Sequence, residues 1–313
     1  MPMQCRSLKA TLVLAFFTAL PVASALAQSA PLRVCVSEDN APYSTVRKGG
    51  AVSGFDAALA QALAKDMGRE LKFVPFEPEL EKDAVLSHEV NAMLSAGLCD
   101  LVTGFPMFKA DLGPPTREKF RPPDYPGAPR KPVRPFVKLG TLVASMPYQG
   151  MALTVVQRPD AAPLNKMADL AGRKIGAIAG TLEGSLIAMF GNGQLVSSMV
   201  SLSQRDDAWA ALETGRIDAH LVPSSALDTY LAKMPASKLK ASEVKLPLGV
   251  NMGFVTLAER TDLLDAVNRF ITKAQNNGDL QRLARESGLT WQTPAEPALS
   301  AGLALATLLG PTK

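Results

Sequence analysis

The sequence predicts a two-lobed α/β protein, with a mainly parallel sheet and flanking helices in each lobe and hinge strands between them. Three observations carry this. Strand-like and helix-like segments alternate along the chain, they do so in two sets divided near Met151, and 313 residues are enough for two separate cores.

The first set opens with a strand over 32–37, followed by Asp39-Asn40-Ala41-Pro42-Tyr43 and a turn at Gly49-Gly50. A helix over 55–67 puts Phe55, Leu59, Leu63 and Met67 on one face and stops at Gly68. A strand over 71–74, a helix over 80–96 ending at Gly97, and a strand over 98–104 complete a βαβαβ order, which predicts parallel strands with right-handed crossovers. The second set has strands over 151–156 and 174–179, a helix after Gly180-Thr181, and a helix over 205–215. A strand over 217–222, a helix over 224–233, a strand over 250–257 and helices over 262–276 and 279–286 follow. No internal repeat is present. Two such sets joined by extended segments enclose a cleft, and hinge closure is the motion this shape supports.

The first 27 residues read as a cleaved secretory signal. Arg6 and Lys9 precede an apolar run from Ala10 to Leu20, and Ala25-Leu26-Ala27 forms the small-residue cleavage site. That run is too short to span a bilayer, and Cys5 precedes it, where a lipid-anchored protein carries its cysteine after it. The expected location is the periplasm. The expected division is signal 1–27, first lobe 28–145 and 258–293 with an insertion at 106–140, second lobe 146–257, and a loosely ordered tail at 294–313.

Charge narrows the partners. The net charge of +4 falls to +2 without the signal, and no long basic block follows a phosphate backbone, so nucleic acid is excluded as a partner. No later stretch is long and apolar enough to make an integral membrane protein. Only two histidines, His88 and His220, are present, without ligand spacing, and no Ser-His-Asp set stands out; no metal and no cofactor are expected. A monomer is expected.

Cys35 and Cys99 remain after the signal, both in strand-like runs. In an oxidising compartment an even count invites a disulfide, provided the two strands are neighbours. Two buried free thiols are the alternative, and a metal site a weaker one. The second irregular feature lies between Gly113 and Pro135, where eight prolines are interleaved with six basic residues. Proline fixes φ and removes donors, so neither helix nor central strand fits. This segment leaves the strand over 98–104 at the carboxyl edge of the sheet, where open α/β folds bind ligands. A docking loop or lid and a plain surface elaboration both fit it.

Several segments in order resemble the extracellular solute-binding proteins of the polar amino-acid type. They are Gly54-Phe-Asp-Ala-Ala-Leu, Gly97-Leu-Cys-Asp-Leu-Val-Thr-Gly104, Met146-Pro-Tyr148, Asp169-Leu-Ala-Gly-Arg-Lys-Ile-Gly176 with Gly180-Thr181, and Ala211-Leu-Glu-Thr-Gly-Arg-Ile-Asp218. The resemblance covers nearly the whole mature chain apart from the proline-rich segment. It implies the type II periplasmic binding protein fold, with the C-terminal helices returning to the first lobe. It also implies a small polar or organic-acid solute, delivered to an ABC permease. The ligand-contact candidates it gives are Asn40, Tyr43, Thr103, Gly104, Arg117, Thr181 and Ser224. Tyr43 also reads as core packing, and Thr181 as a plain helix cap at an anion-binding helix N-terminus.

The chain departs from that family at both charge-pairing positions. Amino-acid binders carry a Thr-x-x-Arg stretch after the cleft strand, and here Thr116-Arg117-Glu118-Lys119 ends in lysine, which lacks the planar fork for a carboxylate. Pro223 stands where relatives place the aspartate that pairs with the ligand ammonium. A standard amino acid is therefore a poor ligand.

The first lobe also resembles binding-protein homologues associated with quinoprotein alcohol dehydrogenases. It does so through Leu32-Arg-Val-Cys-Val-Ser-Glu-Asp-Asn-Ala-Pro-Tyr43, Gly97-Leu-Cys-Asp100 and Gly104-Phe-Pro106. That likeness implies the Cys35–Cys99 pairing and an accessory role beside a periplasmic dehydrogenase or its cytochrome. A third reading is a dehydratase on the same fold, for which Glu183 is the nominated general acid; its plainer role is favourable charge at a helix N-terminus. Binding rather than catalysis is the expectation.

Overall fold

The computed structural model describes Met1 and residues 30–79, 85–303 and 305–309. The signal segment, apart from Met1, and the first residues of the helix expected from 80 lie outside the described residues.

The apolar run LRVCVS makes β1, Leu32–Ser37, buried along most of its length. Gly54 then starts α1, Phe55–Asp66, at φ 112°, where a Cβ would meet the Tyr43 carbonyl oxygen at 2.4 Å. Only glycine allows that approach. The Phe55 and Asp56 N–H groups in turn donate to the Pro42 and Tyr43 carbonyls at 3.1 and 2.8 Å, which satisfies two orphan donors of the first helical turn. β2, Leu71–Phe76, α2, Leu86–Ser95, and β3, Leu101–Pro106, follow. β2 and β3 flank β1, both parallel to it, as the βαβαβ order requires. Pro75 is tolerated within β2 because β2 ends the sheet.

β4, Leu142–Ala144, precedes β5, Gln149–Gln157. The second set contains β6, Ile175–Ile178, α3, Leu182–Met189, β7, Met199–Leu202, α4, Ala208–Glu213, β8, Ala219–Pro223, and α5, Ser224–Lys233. β9, Lys240–Leu257, is the longest strand. α6, Thr261–Asn276, α7, Asp279–Glu286, and α8, Leu305–Leu309, end the described chain.

One nine-stranded sheet runs through both halves in the order β7-β6-β8-β5-β9-β3-β1-β2, with β4 also on β9. β9 pairs antiparallel with β5 through its first part and with β3 and β4 through its last, so one strand joins the two halves. The apolar core is nevertheless divided. Two clusters draw their buried residues from 32–148 and 252–289, and two others from 153–250.

Three findings differ from the sequence reading. β9 begins at Lys240 rather than near Val250, because its first half alternates exposed and buried positions and contains Pro247 and Gly249. The segment from 294 is held in place: the buried Asn251 side chain donates to the Ala295 and Ala298 carbonyls at 2.8 and 2.9 Å and accepts from Ala295 N–H at 2.7 Å. Ser300 and Met107 continue this strap with an N–H to carbonyl bond of 2.9 Å. The proline-rich segment contains a hairpin of two short strands, Lys119–Phe120 and Val137–Lys138. Arg134, only 4% exposed, organises it by donating to the Pro122 and Pro129 carbonyls and to Asp124 Oδ1 at 2.8 to 3.1 Å.

The two cysteines are bridged. β1 and β3 are neighbours, with Cys35 opposite Val102, and Cys99 lies just before β3. Their Cα atoms are 5.7 Å apart, within ordinary disulfide geometry. Asp100, next in sequence and buried, accepts from the Arg33 backbone and guanidinium and from Arg260 Nη1 at 2.9 to 3.3 Å. These donors hold its carboxyl below the usual carboxylate range against the opposing effect of burial.

Candidate functional site

The carboxyl ends of β1 and β3 open onto a cavity of about 490 Å³, a size suited to a small organic molecule. Asn40, Tyr43, Thr103 and Gly104 line it from the first half, and Met151, Pro223 and Ser225 close it from the second. Its walls are largely apolar, with Phe76, Val90, Val102, Phe105 and Met252 among them. Among the described residues, Asp39 and Asp56 are the only charged side chains in that lining, and no lysine or arginine joins them.

A relay of buried polar groups forms one wall. The Gly104 N–H donates to the Tyr148 hydroxyl at 2.7 Å, and that hydroxyl donates to Asp56 Oδ1 at 2.8 Å. Gly104 sits at φ +66°, and a Cβ there would lie 2.6 Å from Asp56 Oδ2. Asp56 and Tyr148 are fully buried. Asp56 Oδ2 and the neighbouring Thr103 Oγ1 are both sealed from solvent, and the Thr103 hydroxyl lies beside the carboxylate. Burial raises the Asp56 carboxyl to about 6, while hydrogen bonds from Tyr148 and Thr103 pull it the other way. Tyr43, beside Ser225 and Gln149, is pushed up to about 12 by burial.

The sequence-derived candidates divide. Asn40, Tyr43, Thr103 and Gly104 come together in the cavity. Arg117 does not join them: it is exposed, with its guanidinium 5.8 Å over the Phe120 ring, and no residue of 107–140 lines the cavity. Thr181 caps α3, accepting from Gly184 N–H at 3.0 Å and donating to the Ile178 carbonyl at 2.9 Å. It lines a separate pocket of about 170 Å³ with Glu183 and His220. Ser224 donates to the Ala152 carbonyl at 3.2 Å and lines a third hollow of about 60 Å³ beside Tyr43. Its neighbour Ser225 takes the cavity position instead.

Asp56 and Tyr148 were not singled out from the sequence. An acid in the first turn of a helix reads as a partner for the helix dipole. The available signal was its spacing, since Asp56 shares a helix face with Leu59, Ala60 and Leu63, all of them buried.

The fold is the two-lobed type II architecture of periplasmic binding proteins. The second substrate-binding domain of GlnP from Lactococcus lactis, in its open conformation, superposes with a TM-score of 0.60 at 18% identity, over 84% of this chain and 96% of that one. Residues 32–97 match the model of the bacterial extracellular solute-binding proteins, family 3. The histidine-binding periplasmic protein of Salmonella typhimurium is 22% identical over 289 residues, 90% of this chain and 95% of that protein. Protein MoxJ of Paracoccus denitrificans is 42% identical over 87 residues, and this match spans 28% of each chain. Among the described residues no helix is long and apolar enough to cross a membrane, and no group of three or more His, Cys, Asp or Glu could hold a metal ion.

Proposed function

We propose that the chain is a periplasmic solute-binding clamp that takes one small organic molecule into the cleft and presents it to an ABC permease. The observation that carries this is the cavity of about 490 Å³, where polar groups at strand ends converge between apolar walls contributed by both halves. β9, which pairs with strands of both halves, and β5 beside it are the natural hinge. A thermal-shift screen over amino acids, amines, alcohols and organic acids tests the reading. A ligand bound only by the folded state raises Tm with concentration. A folded protein whose Tm stays flat across all four classes refutes it.

A second reading, an accessory protein of a periplasmic quinoprotein alcohol dehydrogenase, is favoured by the surface of the segment 107–140. That segment carries eight basic and three acidic residues, a surplus larger than the +4 of the whole chain. It also exposes Val133 and Phe136, with the Arg121 guanidinium 4.2 Å over the Phe136 ring. Stable co-purification with a dehydrogenase, lost on Phe136→Ser with Arg121→Ser, is the result this reading requires.

A further inference from the structure

The chain that follows α7 crosses between the two halves directly over the hinge. Buried members of the first-half clusters stop at Tyr148 and resume at Met252, and those of the second half run from Leu153 to Val250. The halves therefore meet at 149–152 on β5 and at Asn251 on β9. Gly150 and Asn251 pair with each other there, and the β5–β9 register slips between Gly150 and Ala152. Residues 292–298 lie on this crossing. Gly150 N–H donates to the Gln292 carbonyl at 2.9 Å, and a Cβ on Gly150 would lie 2.5 Å from the Thr293 carbonyl oxygen. The buried Asn251 side chain holds Ala295 and Ala298.

The same segment is tied to both halves. Thr290 donates through its N–H and its hydroxyl to Asp228 of α5, in the second half, at 2.7 and 2.8 Å. Ser300 shares backbone bonds with Met107 and Lys109, just after β3 in the first half, at 2.9 and 2.8 Å. Ala301, Gly302 and Leu303 are exposed. α8 then returns to the second half, where Leu305, Leu308 and Leu309 pack on the cluster that contains Leu186 and Ile187 of α3. Their spacing puts the three leucines on one helix face. A helix of five residues is too short to hold itself in water, so α8 keeps its form through this docking. Hinge rotation changes the distance from Ser300 to α3, and only the short joint after Ser300 separates the two anchors, so a large rotation pulls on α8.

We infer that α8 is a latch on the hinge: docked on the second half it holds the two halves at their present angle, and its release lets them rotate. The inference concerns the motion of the clamp and is independent of the molecule the cleft takes.

Double electron–electron resonance on full-length protein tests it. Spin labels at Lys65→Cys on α1 and Lys233→Cys on α5, both exposed positions, read the distance between the halves. Cys5 is replaced by serine, and the bridged Cys35 and Cys99 take no label. Leu305→Ser with Leu308→Ser undocks α8 and is expected to raise the population of a second distance about tenfold over the parent. The milder Leu309→Ser is expected to act in the same direction, and it replaces the pair if circular dichroism shows the pair unfolded. Leu212→Ala, in the second-half cluster formed without α8, is expected to lower the melting temperature and keep the parent's distance distribution. A distribution unchanged in the folded leucine variants overturns the latch. The same second distance in Leu212→Ala also overturns it, because the motion then follows from lost stability and not from the release of α8.

Discussion

Replacing Asp56 by asparagine should make the protein more stable at neutral pH, contrary to the usual result of altering a fully buried residue. The carboxyl is raised from 3.8 to about 6 by burial. Its folded value lies above its unfolded value, so folding takes up a proton here. The cost of burying it is absent below about pH 4, grows as pH rises through 6, and is complete above that. At about 1.4 kcal/mol per unit this amounts to about 3 kcal/mol at pH 8 and about half of that at pH 5. Asparagine keeps an oxygen for the Tyr148 hydroxyl, which now donates at 2.8 Å, and brings an N–H toward the Thr103 hydroxyl, which can accept it. Urea unfolding of both proteins at pH 5 and pH 8, with m-values compared, measures the difference. A gain at pH 8 about twice that at pH 5 is expected. A variant less stable than the parent at pH 8, or a difference independent of pH, would refute the account of Asp56 as a carboxyl kept at a stability cost.

Two further perturbations address the frame. The Cys35–Cys99 bridge closes a loop with a sequence separation of 64, which the chain-entropy model values at about 4 kcal/mol. A Cys35→Ala, Cys99→Ala double variant should therefore melt about 8 °C lower, and a change under 2 °C would show that the bridge does not constrain the unfolded chain as supposed. Asn251→Ala removes three hydrogen bonds of 2.7 to 2.9 Å to the strap at 295–298 and should cost about 2 to 4 kcal/mol. Limited proteolysis should then cut near Ala295 well before the rest of the chain; an unchanged cleavage pattern would mean that the strap is held by other contacts.

Much of the frame was legible because its signals are local. The strand over 32–37 and the helices over 224–233 and 279–286 have the bounds their patterns predict, each a short element closed by turn residues. β9 was half missed because a strand exposed on one side and broken by Pro247 has the composition of a loop. Asn40, Tyr43, Thr103 and Gly104, expected from a family likeness, all line the cavity, since they lie on β3 or in the turn that follows β1. Arg117 was misplaced for the opposite reason: the proline-rich segment packs along α2, through bonds such as His88 Nε2 to Thr116 Oγ1 at 2.9 Å, and not over the cleft. Asp56 and Arg134 were illegible because their roles depend on burial. An acid in a first turn and an arginine among prolines look like ordinary surface charges until the fold removes them from water.

The division of the core also sets an order of assembly. Phe270, Ile271 and Leu283, near the end of the chain, belong to the same apolar cluster as Val34 and Leu59, near its start. A chain emerging from its N-terminus therefore begins one half, makes the whole of the other, and only then supplies the helices that finish the first. During that interval the early strands lack α6 and α7 as cover. Both partners of the disulfide, however, emerge within the first hundred residues. The bond can close as soon as they reach an oxidising compartment, holding β1 beside β3 until the last helices arrive. Its loss would then lower the yield of correctly folded protein in addition to the stability of protein already folded.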